Sequence, residues 1–273
     1  MNVRRTPLLM GIVNITTDSF SDGGLFLDPF RAIDHALRLV DDGASIIDVG
    51  GESTRPGSDP VDEATERSRV LPVIRGLASQ TAAAISIDTR KPSVARAAVE
   101  AGASIWNDVS ALTYAPESLS AAAALSCRIV LMHAQGDPKT MQDNPKYDDV
   151  VKEVRDHLAM RVAAAEAAGV DRARLIVDPG VGFGKTPAHN LALIDRLPTI
   201  VGLGLPVLLG ASRKRFISAV DRQGPAAARL GGSIAAALAG AARGASILRV
   251  HDVAATRQAL AVHAALEKAG SEH

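Results

Sequence analysis

Gly43-Ala44-Ser45-Ile46-Ile47-Asp48-Val49-Gly50-Gly51-Glu52 is the stretch on which the fold turns. A glycine closes whatever precedes it, a short apolar run follows, and the run releases a carboxylate and a glycine-rich polar cluster. The tetrapeptide Gly-Ala-Ser-Ile recurs at Gly102 and Gly244, at intervals of 59 and 142 residues. In modules of ~30–35 residues these intervals are two and four βα units, which suits a barrel of ~250 residues. The repeat then falls on the second, fourth and eighth strands; chance recurrence in an alanine-rich chain is the competing reading.

Outward from that stretch, similar runs lie at Leu8–Val13, Ile46–Val49, Ile85–Ile87, Ser104–Trp106, Ile129–Met132, Leu175–Val177, Val207–Leu209 and Ile247–Val250. They do not alternate apolar with polar, the habit of parallel strands buried on both faces. Amphipathic stretches separate them. Asp28 and Pro29 read as an N-cap and first helical residue, Ile33, Ala36, Leu37 and Val40 follow at helical spacing, and Gly43 ends the helix. Lys91-Pro92 opens another helix that closes at Gly102, and residues 149–169 form a longer one with Val150, Val154, Leu158 and Val162 on one face. No linker or low-complexity segment divides the chain. The pattern predicts an α/β TIM barrel, one domain over residues 1–273, with a doubly wound open sheet as the alternative.

The chain has 273 residues, 47% hydrophobic and 22% charged, the ordinary globular mix. Lys and Arg total 30 and so do Asp and Glu, so the basic excess of a nucleic-acid binder is missing. Aromatic residues are only 3%, too few for a base-stacking platform. The lone cysteine, Cys127, excludes a disulfide framework and points to a reducing compartment, where it reads as a buried structural thiol. The longest uncharged apolar stretch, 197–212, contains two prolines and is too short to span a membrane. Arg4 and Arg5 before the apolar 7–13 run imitate a signal peptide, but Asn14 follows instead of a cleavage site, so a cytoplasmic protein is expected.

Polar residues gather at the ends of the strands. The first run releases Asn14 and the 16–24 cluster, the second Asp48 and the 50–57 cluster, the third Asp88, the fourth Asn107 and Asp108, the fifth His133. The sixth releases Asp178, the seventh Ser212 to Arg215, the eighth Arg249, His251 and Asp252. A carboxylate after a strand is often only a helix cap. Eight in register are poorly explained that way, and in a parallel barrel they converge on the face that carries active sites. Lys214, Arg249 and His251 then form an anion-binding end on strands seven and eight. Across from it, Asp88, Asn107 and Asp178 form a cluster of acceptors suited to a flat, N–H-rich heterocycle such as a pterin or guanine. Arg213, Lys214 and Arg215 are consecutive, so at least one of them should face solvent.

Two motifs mislead. Residues 179–186 resemble a phosphate-binding loop but carry Pro179 where the first glycine is required. Gly180-Val181-Gly182 begins a dinucleotide fingerprint that fails at Lys185. The glycines read instead as a tight loop that lets backbone approach a ligand. His133, His189 and His251 are too scattered for zinc, while a Mg²⁺ held mainly by substrate phosphates remains open. His35, His157 and His263 fall in predicted helices and read as surface or packing residues.

Together these residues resemble the dihydropteroate synthase family. The likeness runs in order through residues 10–24, 48–57, 87–89, 107–110, 131–133, 178–190, 210–217, 229–233 and 249–253. The resemblance implies a homodimeric TIM barrel that joins p-aminobenzoate to 6-hydroxymethyl-7,8-dihydropterin diphosphate, releases diphosphate in folate synthesis, and is a sulfonamide target. It places Mg²⁺ on Asn14, the pterin on Asp88, Asn107, Asp178 and Lys214, and the diphosphate on Asn14, Arg249 and His251. It places p-aminobenzoate against Phe20, Thr54, Arg55, Pro56, Phe183 and Lys214. Asn14, Asp88, Asp178, Lys214 and Arg249 are the residues it implies for catalysis, and 16–24 and 53–57 are its two closing loops. A pterin-dependent methyltransferase and a non-catalytic pterin binder are the rival readings.

Overall fold

The structure is a computed structural model in which residues 6–16, 28–53, 59–136 and 141–271 are described. Eight strands run through them: β1 (Leu8–Asn14), β2 (Ile46–Gly50), β3 (Ala84–Asp88), β4 (Ile105–Asp108), β5 (Arg128–Met132), β6 (Leu175–Asp178), β7 (Leu208–Leu209) and β8 (Ile247–Val250). All pair in parallel, in the order β6-β5-β4-β3-β2-β1-β8-β7. A parallel bridge between Val177 and Val207 joins the two ends, and Val177 N donates to Pro206 O at 3.0 Å. The sheet therefore closes on itself as a TIM barrel, and the open-sheet alternative falls.

Ten α-helices alternate with the strands among the described residues: α1 (Pro29–Asp41), α2 (Glu63–Ala78), α3 (Pro92–Glu100), α4 (Ser118–Ala124), α5 (Val150–Ala167), α6 (Pro187–Asp195), α7 (Pro198–Val201), α8 (Arg215–Val220), α9 (Leu230–Ala242) and α10 (Val253–Ser271). Asp28 caps α1 by accepting from Phe30 N at 3.0 Å, with Pro29 beside it. The face that α1 buries completely is Ala32, Ala36 and Leu39; Ile33, Leu37 and Val40 flank it, partly buried. On α5, Val150, Val154, Leu158 and Val162 all face the core as their spacing requires. Gly43, Gly102 and Gly244 precede β2, β4 and β8 with φ of +112°, +118° and +95°. The repeated tetrapeptide thus marks one structural event, a left-handed helix end that turns the chain into a strand.

Inside the barrel, one residue from each strand meets in a closed layer: Met10, Ile46, Ala84, Ile105, Val130, Ile176, Leu208 and Ile247. Full burial of each large side chain there contributes roughly 1.5–3 kcal/mol. Successive strand residues face opposite ways, so positions two further along point inward again. These are Ile12, Asp48, Ser86, Asn107, Met132, Asp178, Gly210 and Arg249. Four further along from Met10 and Ala84 stand Asn14 and Asp88. The inner face thus gains its first polar and charged side chains one layer up, on the sheet itself, beside the apolar Ile12 and Met132. Asn14 and Asp88 are the last residues of their strands, paired in register through Gly50, where the sequence reading placed them just beyond. Cys127 is buried, as expected of a structural thiol.

Candidate active site

Arg249 is the hub of the barrel mouth. From β8 it reaches across the barrel, donating from Nε to Asp48 Oδ2 at 2.6 Å and from a terminal nitrogen to Asp88 Oδ2 at 2.8 Å. Asn107 Nδ2 donates to the same Asp48 oxygen at 3.2 Å. Burial alone would lower the Arg249 pKa, but Asp48 and Asp88 together hold it above its ordinary value. Burial pushes the Asp88 carboxyl up to about 7, with Arg249 opposing the shift. One oxygen on each carboxylate, Asp48 Oδ1 and Asp88 Oδ1, is buried without a hydrogen-bond partner. Unpaired buried acceptors are costly unless something supplies a donor. A ring edge rich in N–H groups would do so.

The expected division between an anion end and an opposing acceptor cluster is therefore spanned by Arg249 itself. An arginine side chain is long enough to bridge strands that are far apart in order but face one barrel interior. Asp48, which the sequence reading noted at a strand end but left out of its site, is the fully buried partner in that bridge. The signal that could have found it is its even spacing from Ile46, which points it inward.

Lys214 follows Arg213, a non-glycine residue held at φ +58°. Ser233 Oγ accepts from Arg213 N at 2.8 Å, Arg229 donates to Arg213 O at 2.8 Å, and Asp252 takes the Arg213 guanidinium with both oxygens. That clamp fixes the turn that sends Lys214 into the barrel mouth, while Arg215 faces solvent as the consecutive cations require. Lys214 donates to Val181 O, and its ammonium lies 4.6 Å from the Phe183 ring centroid. Burial pushes it down to about 8. A side chain built at Gly210 would meet both Lys214 Nζ and Arg249 Cβ at 3.8 Å, so the two cations flank one space. Asp178 accepts from Gly180 N at 2.7 Å; burial raises its pKa while Lys214 opposes. His251 Nδ1 lies 3.0 Å from Ser212 Oγ.

Gly180, Gly182 and Gly184 have φ of +66°, +86° and +62°. The protein's own chain packs close against each of them. A Cβ would come within 1.8 Å of His133 O at Gly180, 2.9 Å of the Lys214 side chain at Gly182 and 2.5 Å of Gln135 O at Gly184. Lys185, the lysine of the phosphate-loop lookalike, is buried against His133. His157 packs edge-on to that ring, with centroids 4.8 Å apart.

Asn14 lies half-buried at the end of β1. Because position 50 is glycine, a hollow separates its carbonyl from Asp88: a Cβ there would stand 3.5 Å from Asn14 Oδ1 and 3.8 Å from Asp88 Oδ2. No group of three or more His, Cys, Asp or Glu side chains able to hold a metal occurs among the described residues. A neutral oxygen beside a hollow fits a Mg²⁺ that brings most of its ligands with the substrate.

A family model described as pterin binding enzyme matches residues 10–251. The dihydropteroate synthase of Escherichia coli K12 is 46% identical over 256 residues, 94% of this chain and 90% of that protein. The chain belongs to the dihydropteroate synthase family. A second family member, from Neisseria meningitidis serogroup B, is 48% identical over 95% of this chain and 93% of its own. Xanthomonas albilineans dihydropteroate synthase solved with 4-aminobenzoic acid is 51% identical with a TM-score of 0.90, covering 96% of this chain and 93% of that one. The same organism's enzyme in complex with 7,8-dihydropteroate is 46% identical with a TM-score of 0.85, covering 97% and 94%. The Yersinia pestis dihydropteroate synthase, solved with a sulfonamide drug complex, is 41% identical with a TM-score of 0.93, covering 96% and 95%.

Of the site residues read from sequence in this family member, Asn14, Asp88, Asn107, Asp178, Phe183, Lys214, Arg249 and His251 all lie at the barrel mouth. Phe20, Thr54, Arg55 and Pro56 fall outside the described residues, as do most of both expected closing loops. No helix among the described residues is long and apolar enough to cross a membrane.

Proposed function

We propose that this transferase joins the amine nitrogen of p-aminobenzoate to the methylene carbon of 6-hydroxymethyl-7,8-dihydropterin diphosphate and releases diphosphate. The single observation that carries the reading is the Arg249 bridge over two carboxylates with unpaired buried oxygens. The same few ångströms offer acceptors for a pterin edge and cations for a diphosphate.

In this reading Asp88, Asn107 and Asp178 take the pterin edge, and Arg249, His251 and Lys214 take the diphosphate side. An arriving anion competes with Asp88 for the Arg249 guanidinium. That exchange frees Asp88 Oδ2 for a ligand N–H just as the anion replaces it on the arginine, so the two halves of the substrate bind cooperatively. As the C–O bond breaks, its electron pair leaves with the diphosphate, where Arg249 and His251 stabilise the growing charge. The methylene left behind becomes cationic, and Asp88 and Asp178 offset it through the ring. The arylamine then forms the C–N bond and gives up a proton. It is a weak base and needs no strong general base. Asn14 would hold Mg²⁺, which supplies further charge neutralisation to the leaving group when bound. Phe183 walls the p-aminobenzoate ring. The buried, unbonded Cys127 supports a cytoplasmic setting. Exposed Leu230, Val262 and Leu266 on the adjacent α9 and α10 support a homodimer.

The test is diphosphate release with each substrate omitted in turn. Release is expected only with both present, and release from the pterin diphosphate alone at the full rate refutes the condensation. Asn14→Ala should lower turnover far more than it lowers pterin binding; equal losses would remove Asn14 from the diphosphate side.

The reaction should also fail on the alkaline side. Lys214 is lowered by burial to about 8, so it loses its positive charge as pH rises through that value. The profile of kcat/KM against pH reports groups of the free enzyme. It should fall above pH 8, and Lys214→Arg, slower overall, should keep its plateau to higher pH. An unchanged alkaline limb in that variant would show that another group titrates.

A further inference from the structure

The phosphate-loop lookalike ends in a lysine that the proposed chemistry does not use. Lys185 is 3% exposed, and its ammonium is taken up by the protein's own acceptors. Its Nζ lies 2.9 Å from His133 Nδ1, 2.9 Å from Phe183 O and 3.4 Å from His133 O. Three acceptors match the three protons of an ammonium, which burial makes easier to lose by lowering the Lys185 pKa to about 7, with Asp178 opposing the shift. Burial, the charge on Lys185 and neighbouring His157 push the His133 pKa down to about 3, so His133 is neutral and offers Nδ1 as an acceptor. The partners belong to two segments. His133 follows β5, and its N donates to Asp178 O at 3.0 Å. Phe183 lies on the glycine loop after β6. That loop is tied down elsewhere: Asn190 Oδ1 accepts from Gly182 N at 2.6 Å, and Tyr147 donates to Gly184 O at 2.9 Å. Phe183 itself is held at both backbone groups: its N donates to Gly180 O at 3.1 Å, and its carbonyl accepts from Lys185.

We propose that Lys185 is a positioning residue for the p-aminobenzoate side of the reaction: its ammonium, seated on His133, holds the backbone of Phe183 so that the Phe183 ring stands against Lys214. The inference rests on the reading of Phe183 as the wall of that pocket. On this inference Lys185 acts on the arylamine through Phe183, and its charge reaches Asp178 only weakly, behind burial, Lys214, Gly180 and Arg249.

Three variants test this by steady-state diphosphate release at saturating pterin diphosphate, with p-aminobenzoate varied. Phe183→Ala removes the wall and should raise the KM for p-aminobenzoate on the order of 10- to 200-fold. Lys185→Met keeps the length of the side chain and loses the ammonium. It should raise the same KM on the order of 10- to 100-fold, the scale of a misplaced contact, while its KM for the pterin diphosphate changes less than about 3-fold. The double variant should be no worse than Phe183→Ala alone, within about 2–3-fold, because effects that share one route do not add. Multiplied effects in the double variant, or equal rises in both KM values, would overturn the positioning role. If Phe183→Ala leaves the KM unchanged, the pocket reading itself fails, and that result is distinct from a failure of Lys185→Met alone. Should Lys185→Met not fold, His133→Phe keeps a flat ring and removes both imidazole nitrogens, the Nδ1 acceptor among them. It should shift the KM for p-aminobenzoate in the same direction by a smaller factor, and an unchanged KM would overturn the proposal.

Discussion

Arg249→Met should lower turnover by roughly 10²–10³-fold, the cost of one lost electrostatic donor at a site of developing charge. It should also destabilise the fold by about 3–5 kcal/mol, because two buried carboxylates lose their shared cation. Asp48 is fully buried and Asp88 nearly so, and Arg249 bonds both. Methionine fills much of the space but neutralises nothing. The two losses can be separated by pH. Without the guanidinium, the Asp88 carboxyl, which burial already raises to about 7, is raised further. A carboxyl raised on folding destabilises as pH rises towards its folded value, and the variant parts from the wild type above about 7, where only the wild-type carboxyl ionises, so the deficit from this group should be small near pH 5 and widen above pH 7. Urea unfolding of both proteins at pH 5 and pH 7.5, beside diphosphate-release rates, measures the two effects. A deficit that is small and constant with pH would mean that Arg249 is not the counter-ion of the barrel interior.

Gly180→Ala should be the most damaging glycine-to-alanine change among the described residues. The position has φ +66°, and the new carbon would stand 1.8 Å from the His133 carbonyl oxygen, which is backbone and cannot swing aside. A left-handed non-glycine residue costs ~1–2 kcal/mol and an overpacked contact ~1–3 kcal/mol, so about 2–5 kcal/mol is expected together. The loop it distorts carries Val181 and Phe183, so Lys214 loses its partners and activity should fall with stability. Gly204→Ala is the internal comparison: φ is +73° there, but nothing lies within 4 Å. It should cost only the backbone part, ~1–2 kcal/mol, with normal activity. Similar thermal melts for the two variants would show that the His133 carbonyl yields.

Most of the architecture was legible because the signals are local. Eight apolar runs, glycine-terminated helices and a repeated tetrapeptide each depend on a few neighbouring residues. Strand alternation depends on a period of two, so the inward direction of Asn107, Asp178 and Arg249 follows from Ile105, Ile176 and Ile247 without any coordinates. Asp48 obeys the same rule and was still passed over, because a buried carboxylate acquires meaning only with its partner. That partner, Arg249, is 201 residues away. The barrel decides such pairs by closing β8 against β1, which brings β2 and β3 within the reach of one arginine. The glycine loop shows the same limit from the other side. Its composition announces close approach, but whether a ligand or the protein's own backbone does the approaching depends on where β5 ends. Lys185 looked like a failed phosphate motif for this reason: its acceptors come from His133, 52 residues earlier, as well as from its own loop. The sequence by itself determined the order and polarity of the layers, since those follow from periodicity and burial. Only the tertiary structure decided which charges meet, because Coulomb pairing depends on distance in space and the barrel's closure sets that distance.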